Sequence, residues 1–178
     1  MEQNIKPGVP VTKLKIRENN FYLLLNISLI FILPLLSITS EFIINKATIN
    51  WELAAKWFVF WAIGIRLFVA GVKQASSPEF TATKLFNLKH RESYVVIREL
   101  GFANISLGMM GILSVINDNW RLIAAITGGL YLGFAGLQHC LKKTDSKNEV
   151  IAMLYDFLVF IVILLYLILK LLCCIPSI

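Results

Sequence analysis

Arg66, Arg98, Glu99, Asn104, His139 and Asp156 are the residues placed for chemistry, because each interrupts a stretch otherwise built of Leu, Ile, Val, Phe, Ala and Gly. A charge at hydrocarbon depth costs kilocalories, so one that is kept faces a bundle interior and pairs with another group. At 1.5 Å rise per residue, Arg66 lies about 12 Å from Gln74, Glu99 about 9 Å from Ser93 and Asp156 about 10 Å from Glu149. Three helices therefore bring a charge to one depth, and Arg98 and His139 join the same half. The permanent charges Arg66, Arg98, Glu99 and Asp156 cancel, so the layer can neutralise itself. Two uses fit that pattern. The charges can lock helices together as ion pairs. Alternatively the layer can bind a ligand or relay a proton, with Glu99 and Asp156 exchanging it and His139 titrating near neutral pH.

Other chemistries find no support in the residue pattern. There is no phosphate loop, nucleophile elbow or metal motif, so no catalytic residue is assigned and a non-enzyme is the favoured expectation. His139 has no second nitrogen or thiolate ligand at metal-binding spacing, which argues against metal or haem. The cysteines Cys140, Cys173 and Cys174 form no CxxC pair, and the topology below sets the first at the opposite membrane face from the other two. A bridge between the adjacent Cys173 and Cys174 would be strained. The net charge of +6 does not point to nucleic acid, because the basic residues fall between hydrophobic segments rather than on one face.

The elements that must position these residues are long apolar helices. Of the 178 residues 57% are hydrophobic, and the mean hydropathy is +0.72, well above a soluble average. The excess comes in blocks of about 20 residues or more, the length that crosses about 30 Å of hydrocarbon. An all-α integral membrane fold with five transmembrane helices is expected, spanning about 20–45, 51–74, 93–117, 120–141 and 149–173. These make one membrane domain over 20–174, between a basic tail at 1–19 and a short tail at 175–178. The first 19 residues lack the apolar centre of a signal peptide, so the first span is the expected insertion signal. Glu2 and the position of the cysteines argue against lipid anchors. Pro34 leaves the Ile30 carbonyl without its helical donor, so a bend is expected there.

Orientation follows from the lysines and arginines. Lys6, Lys13, Lys15, Arg17, Lys73, Lys84, Lys89, Arg91, Lys142, Lys143 and Lys147 flank one side, against Lys46, Arg121 and Lys170 on the other. The positive-inside rule then sets the N-terminus in the cytoplasm and the C-terminus outside, with Trp51, Trp57 and Trp120 near the outer boundary. The connection 75–92 reads as a short capped amphipathic helix on the cytoplasmic surface, the one loop large enough for a lid. Gly101 and Gly108 in the third span, and Gly129, Gly133 and Gly136 in the fourth, read as packing positions. The third span is expected to be central. Beyond Asp156 the fifth is so uniformly apolar that it reads as peripheral and lipid-facing.

The run Phe-Trp-Ala-Ile-Gly-Ile-Arg-Leu-Phe-Val-Ala-Gly-Val-Lys-Gln at 60–74, with Phe80-Thr81-Ala82 and Arg98-Glu99-Leu100-Gly101-Phe102-Ala103-Asn104, resembles an uncharacterised prokaryotic membrane family. Gly128 to His139 and Asn148-Glu149 match that family's glycine-rich helix and the start of its last helix, so the resemblance covers about 55–170. It implies a bacterial plasma membrane location and brings no activity. More remotely, helices 2 to 5 are similar to DoxX-like four-helix membrane proteins, to which this chain adds an N-terminal helix. Some DoxX-like proteins are associated with quinone-linked oxidation of sulfur compounds. Three functions are carried forward. The first is binding of a small apolar or amphipathic molecule, a partner subunit or a second copy. The second is a quinone-associated redox subunit, with Arg66 or His139 on a quinone oxygen. The third is a proton-coupled transporter working through Glu99 and Asp156.

Overall fold

In the computed structural model the described residues are 23–86, 88, 90–141 and 147–174, with side chains described except at 84, 85, 147–149 and 174. The tails 1–19 and 175–178, Lys89, Lys142 and Lys143, and the side chains of Lys84 and Cys174 therefore lie outside the description. Among the described residues five helices are long and apolar enough to cross a bilayer: α1 Leu23–Asn45, α2 Trp51–Ser76, α3 Ser93–Leu113, α4 Asp118–Leu141 and α5 Lys147–Cys174. No strand occurs among the described residues.

Local chemistry sets the ends of these helices. Lys46 takes a left-handed backbone (φ 49°) and stops α1. Asn50 then caps α2, its Oδ1 accepting from Leu53 N–H at 2.8 Å and satisfying one of the free donors of the first turn. Asn117 Oδ1 accepts from Asn119 N–H at 3.0 Å where α4 begins. Helix α3 ends at Leu113, four residues earlier than expected, and Ser114 closes it by donating from Oγ to the Gly111 carbonyl at 2.7 Å.

Two helices widen within the bundle. In α1 the turn Ser28–Ile32 is π-helical, and Leu33 N–H donates to the Ser28 carbonyl five residues back, just ahead of Pro34. The irregularity expected from the proline takes this form. In α2 the stretch Val59–Ile65 is π-helical and ends at Arg66, whose N–H is shared between the Trp61 and Ile63 carbonyls. Such bulges recur at functional sites because they change the direction of the side chains that follow.

Helices α2 and α3 pack antiparallel with almost no space between backbones. A Cβ at Gly71 would lie 2.6 Å from the Gly101 carbonyl oxygen and the Ile105 nitrogen, and one at Gly111 would lie 2.6 Å from Gly64 Cα. A Cβ at Gly108 would run into the Phe68 backbone. Lipid tails are as apolar as leucine, so close van der Waals packing, not hydrophobic exclusion, holds membrane helices together. Helix α4 uses glycine differently, as sockets for side chains: Gly128 receives Ile63, Gly129 receives Ile163 and Gly133 receives Phe160.

Three expectations change. Helices α2 and α4 bury more of themselves than α3, because α2 touches every other spanning helix and α4 lies between α2, α3 and α5. Helix α5 is not wholly lipid-facing: Asp156, Val159, Ile163 and Tyr166 form a buried stripe at helical spacing. A uniformly apolar helix carries no amphipathic signal that would reveal such a stripe. In the 75–92 connection, helical turns form at Pro78–Phe80 and Thr81–Leu85, but Ser77 makes no side-chain cap and Thr81 and Ala82 are buried. The segment packs into the end of the bundle. Outside, Leu35, Ile43, Phe134, Leu154 and Ile161 are exposed over faces that only lipid suits.

Candidate functional site

Arg66 is the hub of the buried polar residues. Its Nη2 donates to Asp156 Oδ1 at 2.6 Å and its Nε to Asn26 Oδ1 at 3.0 Å, tying α2 to α5 and α1. The two charged side chains are only 10% and 8% exposed, so each is stable there chiefly because of the other. On the α3 side, Asn104 Nδ2 donates to Gln74 Oε1 at 2.6 Å, and Tyr131 of α4 lies within electrostatic reach of Asn104, Asp156 and Arg66. All five helices thus contribute a polar side chain to a buried run between the levels of Arg66 and Gln74. Two buried atoms along it have no hydrogen-bond partner: Arg66 Nη1, a donor, and Asn104 Oδ1, an acceptor. Buried polar atoms are nearly always satisfied, so each of these exceptions calls for an explanation.

The six expected site residues therefore divide. Arg66, Asn104 and Asp156 belong to the layer. Arg98 and Glu99 do not, since both are exposed and neither forms an ion pair among the described residues. Gly101 already meets Gln74 and Ala75 in the last turns of α2, so Arg98, one turn earlier, projects past the end of that helix. His139 is also elsewhere, stacked on Phe86 of the 75–92 connection with ring centroids 6.2 Å apart and planes within 5°. Asn26, Gln74 and Tyr131 were not singled out from the sequence. Asn26 alone carried a usable signal, as an amide set among Leu23, Leu24, Leu25 and Ile27.

A second polar cluster occupies the opposite end of the bundle, beside Trp51. Arg121, expected only as a flanking charge, is 4% exposed. Its Nη1 donates to Glu52 Oε2 at 3.3 Å and its Nη2 to Asp118, while Lys170 reaches the other Glu52 oxygen. At the same end Glu41 of α1 accepts both from Lys56 Nζ at 2.9 Å and from Trp57 Nε1 at 2.7 Å. With Trp61 Nε1 donating to Ser37 Oγ at 2.9 Å, this clasps α1 to α2. No group of His, Cys, Asp and Glu suited to a metal occurs among the described residues, where Cys140 and Cys173 are both free thiols.

Fold and site together define a bundle of five helices able to span a bilayer, with one charged layer buried within it. The chain belongs to a family of unknown function (DUF6790), whose model matches residues 19–175. No curated protein and no solved structure matches it.

Proposed function

We propose that this protein is a membrane-embedded binding protein in which the Arg66 layer holds the polar end of a small amphipathic molecule. The observation that carries the reading is the pair of unpartnered buried atoms, Arg66 Nη1 and Asn104 Oδ1. The Arg66 charge is already matched by Asp156, so the favoured guest is neutral: a carbonyl oxygen to accept from Arg66 and a hydroxyl or amide N–H to donate to Asn104. Its apolar remainder would lie between helices or in the adjoining lipid. Helices α2–α5 would form the core in the manner of DoxX-like proteins, with α1 clasped on. The charge distribution supports a cytoplasmic N-terminus and an outer C-terminus in a bacterial plasma membrane.

A quinone is a special case of such a guest, and Arg66 is the donor that favours it. His139 has no place in that version, because it stacks against Phe86. A proton-coupled transporter would work through Asp156 alone, since Glu99 is outside the layer. Mass spectrometry of the protein purified in mild detergent, compared with an unrelated membrane protein prepared identically, tests the reading. A recurrent bound mass absent from the control is the expected result, and a quinone or an oxidoreductase partner would select the redox version. A spectrum indistinguishable from the control would overturn the proposal.

A further inference from the structure

The Trp51 end of the bundle carries a second site that the Arg66 layer does not explain. Three helices meet there: α2 brings Trp51 and Glu52 in its first turn, α4 brings Asp118, Asn119 and Arg121, and α5 brings Tyr166 and Lys170 in its last turns. Glu52, Asp118, Asn119, Arg121, Tyr166 and Lys170 line a recess of about 330 Å³, at the lower end of the size range of small-molecule sites.

The recess has a buried floor and an exposed rim. Arg121 is the floor, its side chain only 5% exposed, with Nη1 and Nη2 directed to Glu52 and Asp118 and a buried Nε that has no partner. Trp51 lies behind two of the lining residues, 5.7 Å from the Tyr166 ring and 5.3 Å beneath the Lys170 ammonium. The rim is wet: the Asp118 side chain is 81% exposed and that of Lys170 36%. The rim groups exchange partners at little cost, because exposed ion pairs contribute less than about 1 kcal/mol.

The charge pattern selects the guest. Glu52 and Asp118 balance Arg121 and Lys170, so the recess is neutral as a whole and a simple anion or a simple cation would add a net charge to it. A guest bearing an ammonium and an oxyanion a few atoms apart adds none, its ammonium at the exposed Asp118 and its oxyanion at Lys170 over the Arg121 floor. We infer that this recess binds a zwitterion carrying a primary ammonium and an oxyanion. That chemistry has two sources at a membrane surface, an ethanolamine phospholipid headgroup and a free soluble zwitterion such as an amino acid.

The test uses the full-length protein in detergent and three soluble probes: glycerophosphoethanolamine, glycerophosphoglycerol, which lacks the ammonium, and glycine. Binding is read by titration calorimetry, and native mass spectrometry scores retained phosphatidylethanolamine against phosphatidylglycerol. Saturable binding of glycerophosphoethanolamine at least tenfold tighter than of glycerophosphoglycerol, with selective retention of phosphatidylethanolamine, is expected if the source is lipid. Tight glycine binding without lipid selectivity assigns a soluble zwitterion. In either case Asp118→Asn and Lys170→Gln, both rim changes, should each weaken binding at least fivefold, while Lys46→Gln, at the end of α1, should not. Arg121→Lys should weaken it too, and its elution profile reports separately on folding. Absence of saturable binding by both ammonium probes, equal affinity for the two glycerophosphodiesters without tight glycine binding, or affinity unchanged in Asp118→Asn and Lys170→Gln would each overturn the inference.

Discussion

Arg66 and Arg121 are both buried arginines, each bonded to an acidic side chain of another helix, yet their settings are opposite. Arg66 lies within α2 with a single carboxylate, Asp156, that is itself 8% exposed. Arg121 lies one turn into α4 with two carboxylates, one of them almost fully exposed, and a lysine close by. Removing either charge of the first pair strands the other away from water. The second cluster reaches water through its rim and can absorb a change there. The difference teaches that burial of an arginine does not measure what its partner contributes. What matters is whether the partner has solvent as an alternative.

The largest expected effect follows from breaking the closed pair. Asp156→Ala leaves Arg66 charged and unpaired, at a cost of about 3–5 kcal/mol, read as a fall in the detergent unfolding midpoint or as loss of monodisperse protein. Arg66→Met combined with Asp156→Leu should recover most of that loss, and a double variant no better than the single would show that the pair is not what joins α2 to α5. Next comes the α2–α3 contact. Gly108→Leu drives a side chain into the Phe68 backbone and should cost about 1–3 kcal/mol or more, whereas Gly136→Ala, whose Cβ would sit 3.3 Å from the Phe157 ring, should cost less than about 1 kcal/mol.

Lys56→Met should be milder than Gly108→Leu. Glu41 keeps its bond from Trp57 but loses its cation, a loss of about 1.5 kcal/mol, the lower end for a hydrogen bond to a charged group because the pair is partly exposed, visible as faster amide exchange confined to α1. The smallest effects sharpen the comparison from the open side. Asp118→Asn, although bonded to a buried arginine, should change stability by less than about 1 kcal/mol because its carboxylate is mostly in water. Arg98→Gln should be within about 0.5 kcal/mol, and a loss comparable to that of Asp156→Ala would return Arg98 to the buried layer.

The sequence made the five apolar helices and the packing role of their glycines readable, because length, composition and small residues are local properties. It also made the shared depth of Arg66 and Asp156 readable, since depth follows from residue count along a helix, whereas Glu99, counted to the same depth, is exposed. Azimuth did not follow as readily. The π-helical stretch Val59–Ile65 disturbs the helical phase just before Arg66, and α2 ends at Ser76 without covering Arg98, neither of which a regular 3.6-residue count contains. Arg121 was misjudged for a related reason: a charge near a helix end looks solvated until the neighbouring ends, here Trp51 and Lys170, are known to converge on it.

The most direct test of the Arg66 layer as a binding site is native mass spectrometry of the wild type beside Arg66→Met with Asp156→Leu, a variant expected to fold. A bound mass present in the wild type and lost in that variant, with Asp118→Asn retaining it, is the predicted result. The same bound mass in all three proteins, or none in the wild type, would contradict it and leave the buried pair as a fastening between helices.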